Sequence, residues 1–206
     1  MHFSKQDSKT LNKIIVARRD VRGNHFCQKP IEKKVLKKIL LSAQNAPSVG
    51  FSQPWRFIII ENDETKDKIH TIFTSSYEKS KKKFQERPLY KNLKLEGIKE
   101  APINIAVLYK KPKKAVLGQT YMKKSGEYSV VCAIENMWLM ARSLNVGMGW
   151  VSIVRPKKVK KALNISPEYK FIAYLCLGYT DEFLTAPELK TLGWGKRKKI
   201  KKCILK

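Results

Sequence analysis

The spacing of apolar positions divides the chain into a short series of elements. Residues 11–19 read as a brief helix after a polar leader, ending in the polar stretch 20–24. Pro30 opens a second helix, in which Ile31, Val35, Leu36, Ile39, Leu40 and Ala43 recur at helical spacing. Lys33, Lys34, Lys37 and Lys38 occupy its other face, the pattern of an ordinary amphipathic core helix. RFIIIE at 56–61, bounded by Pro54 and an acidic turn, predicts a short buried strand. Residues 69–95 read as helical, highly charged and interrupted by Pro88, either a mobile cover or an exposed helix pair. A second strand is expected at 103–109. Residues 128–144 are apolar around most of the circumference and predict a central buried helix. Strands follow at 146–153 and 171–178 with a lysine-rich amphipathic helix between them, and 200–205 suggests an edge strand.

Helices and strands mix without strict alternation, which favours α+β over a doubly wound parallel sheet. Neither GxGxxG nor GxxxxGK[ST] occurs, so Rossmann and P-loop sites are unsupported. With 206 residues, 43% of them hydrophobic, the chain suffices for one core, and a single domain over 1–206 is expected. No stretch approaches the roughly 20 apolar residues of a membrane span, and the start lacks the apolar run of a signal peptide. A cytoplasmic protein without membrane contact is the resulting expectation.

Charge complicates this picture. Lys plus Arg number 43 against 17 Asp plus Glu, a net charge of +26. Alone, that points to nucleic acid or an anionic surface. The lysine clusters are not interleaved with aromatics, however, and no nucleic-acid fingerprint accompanies them. They read as solvated surface, with no specific nucleic-acid partner, in a field that still attracts a phosphate-bearing ligand. Cys27, Cys132, Cys176 and Cys203 lack metal or redox spacing, and Cys132 and Cys176 lie in apolar runs that suggest burial. With only His2, His25 and His70 besides, no metal site is expected.

Three segments carry residues that packing alone does not require. Arg18 and Arg22, flanking Arg19, Asp20 and Val21, are one helical turn apart, so two guanidinium forks can face one anion. The plainer reading is a solvated helix end. Pro47, Ser48, Gln53 and Trp55 lie in a turn-rich passage between helix and strand, offering hydroxyl, amide and aromatic groups suited to a flat heteroaromatic ligand. Alternatively the loop is merely rigid and Trp55 fills the core. In GMGWVSI at 147–153, two glycines inside a strand imply close approach by another group: a flavin edge, a bulge or a neighbouring element.

Together, RRDVR, APSVGFSQPWRF, LEGIKEAP, GMGWVSI, YLCLGY and PELKTLGW resemble the nitroreductase superfamily, most closely its dimethylbenzimidazole synthase (BluB) branch. The resemblance covers roughly residues 18–197. It implies an α+β nitroreductase-like fold, a mixed or antiparallel central sheet flanked by helices, and a homodimer with FMN at the subunit interface. By carry-over, Arg18, Arg19, Arg22 and Arg197 belong to the phosphate site, with Asp20 and Val21 between them. Pro47, Ser48, Gln53 and Trp55 belong to the loop lining the cofactor. Gly149, Trp150 and Ser152 belong to the segment beside the isoalloxazine. Asp20, commonly serine in ordinary nitroreductases, and Ser152 are the expected catalytic residues.

The implied reaction consumes reduced FMN and dioxygen, yielding 5,6-dimethylbenzimidazole, the lower ligand of cobalamin, and erythrose 4-phosphate. A separate flavin reductase or other donor of reduced FMN is implied as partner. The resemblance also suggests that residues 79–95 cover the flavin as a lid and that the tail 198–206 is exchanged with a partner chain. Departures occur at Glu135, where glutamine is expected, and at Gln44 and Asn45, where histidine is frequent. The competing expectations are an FMN-dependent NAD(P)H nitroreductase and a basic nucleic-acid-binding protein.

Overall fold

The computed structural model describes residues 1–205, so the last residue of the proposed exchanged tail, Lys206, lies outside the described residues. Four strands form one antiparallel sheet: β1 (Trp55–Ile60), β2 (Ile103–Lys110), β3 (Val146–Val151) and β4 (Tyr169–Tyr179), in the order β1-β2-β4-β3. The helices are α1 (Lys5–Ala17), α2 (Lys33–Gln44), α3 (Asp63–Lys81), α4 (Ser125–Ser143), α5 (Pro156–Ala162) and the single turn α6 (Glu188–Thr191). The α+β expectation holds, and all three ladders are antiparallel. The one parallel pairing among the described residues is an isolated bridge between Asp20 and Met148.

The sheet is covered on both faces. Ile103, Ile105, Val107 and Tyr109 of β2 point to one side, where Ile39 and Ala43 of α2 and Val130, Ala133, Ile134 and Met137 of α4 pack. Ala106 and Leu108 point to the other, against Ile69 and Phe73 of α3 and Val159 of α5. Because side chains alternate along a strand, a strand buried on both faces must be apolar throughout, and β2 is buried from Ile103 to Tyr109. The register shifts between Val107 and Leu108 opposite β4. That bulge lets Phe171 join the second core while Ala173, two residues on, joins the first.

Several expectations change. The first helix begins at Lys5, inside the polar leader, because Ser4 and Asp7 form a capping box: the Ser4 hydroxyl accepts from the Asp7 N–H at 3.2 Å and the Ser4 N–H donates to Asp7 Oδ2 at 2.8 Å. The central helix α4 buries one face only, leaving Tyr128, Val131 and Cys132 exposed, so Cys132 is not the buried hydrophobe its neighbours suggest. Cys176 is fully buried as expected. The tail forms a 3-10 turn at Ile200–Lys202 and not an edge strand; Lys201 and Lys202 interrupt the apolar positions and leave no face to bury.

Candidate functional site

The arginine segment is not helical beyond Ala17; it is extended and pinned at four points. Arg142 Nε of α4 donates to the Ala17 carbonyl at 3.1 Å, and Trp138 Nε1 donates to the Arg19 carbonyl at 3.1 Å. The Val21 N–H donates to the Met148 carbonyl at 3.1 Å, and the Gly23 N–H to the Glu96 carbonyl at 2.9 Å. The segment thus lies along the free edge of β3, with the Asp20 side chain completing the pairing: Trp150 N–H donates to Asp20 Oδ1 at 3.0 Å. This contact accounts for one of the two strand glycines. A Cβ at Gly149 would fall on the Val21 carbonyl oxygen, so the close approach is made by the protein's own chain.

Arg18, Arg19, Asp20, Arg22 and Arg197 all line one cavity of about 620 Å³, closed by Ile15, Val16, Leu184, Pro187, Glu188 and Leu189. Residues 18 and 197 are far apart in sequence, so their meeting is a property of the fold. The four arginines are not equivalent. Arg19 spends Nε on the Leu184 carbonyl at 2.9 Å, Nη2 on the Thr185 carbonyl at 2.6 Å and Nη1 on the carbonyls of Val16 and Arg18. Arg22 forms an ion pair with Asp20 and donates to the Leu95 carbonyl at 3.2 Å. Arg18 lies 4.9 Å from the Trp138 ring centroid and pairs loosely with Glu135 at 3.8 Å, and its fork makes no hydrogen bond among the described residues. Arg197 is exposed and has no hydrogen-bond or ion-pair partner among the described residues. Arg18 and Arg197 are therefore the forks available to an anion, while Arg19 and Arg22 shape the cavity.

Asp20 is the carboxylate of this cavity. Loss of water raises its pKa above the ordinary aspartate value, against the lowering effects of Arg22, the Trp150 N–H and Arg18. Glu188 adds a smaller raising effect. A carboxyl so placed sits among cations yet holds its proton more readily than a solvated aspartate. Ser152 lies one residue past the end of β3, exposed, and makes no hydrogen bond among the described residues. It was expected within the strand; β3 ends at Val151 because the chain turns there toward Pro156, which opens α5.

The loop 46–56 lies elsewhere in the protomer and lines none of the arginine cavity. Its backbone is unusual: Gly50, Phe51 and Gln53 adopt φ of 54°, 52° and 43°. Left-handed conformation at two non-glycine residues stores strain of a kind concentrated at functional sites. The Gln53 N–H donates to the Ser48 hydroxyl at 3.2 Å, and the Val49 N–H to the Ser129 hydroxyl of α4 at 3.0 Å. Pro47 is exposed, Ser48 and Gln53 are half-buried, and Phe51 projects into solvent at 83% exposure. Trp55 is 2% exposed and donates to Gln44 Oε1 at 3.3 Å, so it fills the core and anchors the loop from beneath. Sequence reading missed Glu188 as a second carboxylate and Leu184 and Leu189 as the apolar wall; no spacing in the chain connects them to Arg18.

The chain belongs to the nitroreductase family, whose family model matches residues 15–179. Among curated relatives it is 39% identical to the 5,6-dimethylbenzimidazole synthase of Rhodospirillum rubrum, over 91% of this chain and 90% of that one. A BluB-like flavoprotein from Clostridium difficile shares the fold with a TM-score of 0.71 at 19% identity, covering 95% of this chain and 97% of that one. Iodotyrosine deiodinase bound to FMN and 3-iodo-L-tyrosine superposes with a TM-score of 0.68 at 25% identity, over 84% and 91% of the two chains.

Proposed function

We propose that the protein is a 5,6-dimethylbenzimidazole synthase that consumes reduced FMN and dioxygen. The observation that carries this reading is the 39% identity to the Rhodospirillum rubrum synthase across nine-tenths of both chains. The donor set fits the ligand. Two arginine forks without hydrogen bonds among the described residues, Arg18 and Arg197, share a cavity with an apolar wall, as a phosphate ester joined to a flat ring requires. When bound, reduced FMN supplies the redox chemistry, its reaction with dioxygen releasing the benzimidazole and erythrose 4-phosphate. The chain's own residues orient, shield and move protons.

Arg18 and Arg197 hold the phosphate, while Arg19 and Arg22 fix the walls around it. Asp20 Oδ1 is held by the Trp150 N–H and Oδ2 by Arg22, so the carboxyl can take or return a proton without changing place. Ser152, with Gly149 and Trp150, offers a free hydroxyl at the end of the same strand. The loop with Pro47, Ser48 and Gln53 completes the site from a second copy, which makes the active unit a homodimer. A separate flavin reductase supplies reduced FMN, and the cytoplasm is the compartment that suits such a donor. No helix of the described residues is long and apolar enough to cross a membrane.

The test is to incubate purified protein with chemically reduced FMN in air and assay by chromatography and mass spectrometry. Dimethylbenzimidazole is expected, with at least a hundredfold loss in Asp20→Asn if proton transfer contributes the usual roughly 10²–10⁴-fold, and a large loss in Ser152→Gly. Absence of product, together with rapid NAD(P)H oxidation in the presence of a nitroaromatic, would overturn the synthase reading in favour of a cycling nitroreductase.

A further inference from the structure

We infer that Arg87, outside the arginine cavity, is a positioning residue that sets the phosphate-binding arm carrying Arg197. The inference rests on the reading that this cavity receives the FMN phosphate.

Beyond β4 the chain forms the outer wall of the cavity. The main-chain hydrogen bonds of residues 180–205 stay within that segment among the described residues. Side chains alone tie it to the body. At its near end Arg142 lies 3.9 Å from the Phe183 ring centroid, and Arg19 donates to the carbonyls of Leu184 and Thr185. In the middle His25 faces Glu188 at 3.5 Å. At the far end the attachment is Arg87, whose guanidinium stacks 3.5 Å from the Trp194 ring centroid while Nη2 donates to the Trp194 carbonyl at 2.8 Å. One side chain therefore grips both the ring and the backbone of one residue. A planar fork can do this and an ammonium cannot.

The grip is backed by a chain of aromatic rings leading into the core. Phe84 meets Trp194 edge-on at 5.7 Å and stacks on Tyr90 at 4.4 Å. Tyr90 packs against Tyr77 at 5.3 Å, and Tyr77 stacks on Phe73, which is buried against the sheet, at 5.7 Å. The Tyr77 hydroxyl donates to the Tyr90 carbonyl at 2.8 Å. Arg197 follows Trp194 by three residues, with Gly195 between, a span of about 10 Å. Gly195 adds freedom between the two, so the anchor at Trp194 confines the Arg197 fork to that reach of the cavity without fixing its direction. Residues 84–90, within the expected lid 79–95, thus act on the ligand's phosphate end through the wall they hold.

The test compares binding of oxidised FMN and of riboflavin, its phosphate-free counterpart, by flavin fluorescence quenching in parent, Arg87→Ala, Arg87→Lys, Arg197→Ala and the Arg87→Ala/Arg197→Ala double variant. Loss of one charge-assisted phosphate contact corresponds to roughly tenfold to a hundredfold in affinity. Arg87→Ala is expected to weaken FMN by about tenfold, leave riboflavin unchanged and add little to Arg197→Ala, because coupled residues are non-additive. Arg87→Lys should restore little, since the fork is lost. In ligand-free protein, trypsin should cut within 196–202 faster in Arg87→Ala, with thermal unfolding monitored to show that the body remains folded. If Arg197→Ala lowers the preference for FMN over riboflavin but Arg87→Ala does not, or the two effects simply add, the positioning role is overturned while the phosphate site stands. If Arg197→Ala leaves the preference unchanged, the phosphate site and the positioning role both fall. Failure to make dimethylbenzimidazole with the binding pattern intact would count against the synthase reading alone.

Discussion

Burial and charge pull the Asp20 carboxyl in opposite directions, and burial prevails, leaving its pKa raised. The consequence for stability has a definite sign. An acid with a higher pKa folded than unfolded costs stability once ionised. The cost sets in as pH rises past the ordinary aspartate value, about 3.9, and is complete above the raised folded value. Asp20→Asn keeps an acceptor for the Trp150 N–H without the charge. Urea unfolding is therefore expected to find it at least as stable as the parent at pH 7, with any advantage vanishing below about pH 3.5. A deficit at pH 7 that disappears below about pH 3.5 would mean instead that pairing with Arg22 outweighs desolvation. The residue types of this site were legible in the sequence, since a cluster of arginines around one aspartate is unusual chemistry. What was not legible is the division of labour among the arginines. Arg19 is committed to carbonyls at 184 and 185, about 165 positions away, and carbonyl partners leave no trace in side-chain identity.

At the scale of elements, the free edge of β3 and the extended segment 20–21 determine each other. Gly149→Ala would drive a Cβ into the Val21 carbonyl, which is backbone and cannot swing away. Overpacking of this kind costs roughly 1–3 kcal/mol. Chemical denaturation should show that loss, and the displaced Asp20 should lower synthase activity more than the stability change alone explains. At Gly147 an added Cβ would meet Val21 Cγ2 at 3.0 Å and the Gly178 carbonyl oxygen at 3.2 Å, much looser than the clash at Gly149, so Gly147→Ala is expected to cost less. The four strands and the major helices were legible because apolar periodicity records burial directly. The positive φ at Phe51 and Gln53 was not, because neither residue type announces a left-handed backbone. Nor was the single buried face of α4, for apolar residues on its other side read the same whether a core or a second chain covers them.

For the molecule as a whole, that uncovered face matters. None of the residues of α1 is buried, and Leu11, Ile15 and Val16 are exposed beside Leu41 of α2 and Tyr128 and Val131 of α4. A 13-residue helix with no buried residue, resting lightly on α4, is marginal in water, so α1 gains from a partner surface. The proposed homodimer would supply one, and it would also bring a Pro47–Ser48 loop to an arginine cavity that lacks it. Val131→Glu should shift sedimentation toward monomer and abolish tight FMN binding together, whereas an exposed lysine variant such as Lys158→Glu should do neither. The net charge of +26 comes mostly from lysines on exposed faces, with Lys66 a buried exception, whereas the proposed phosphate contacts are arginines.

The bridge between Asp20 and Met148 has one further consequence. An unpaired strand edge invites the edges of other molecules, and proteins blunt such edges with covering segments and inward charges. Here the residue proposed to handle protons is also the cover of β3, its carboxylate standing in for the carbonyl of a missing neighbour strand. Chemistry and solubility are thereby drawn from the same side chain. Replacements at position 20 are constrained twice, since one without an acceptor exposes an amide that seeks a partner in a neighbouring molecule.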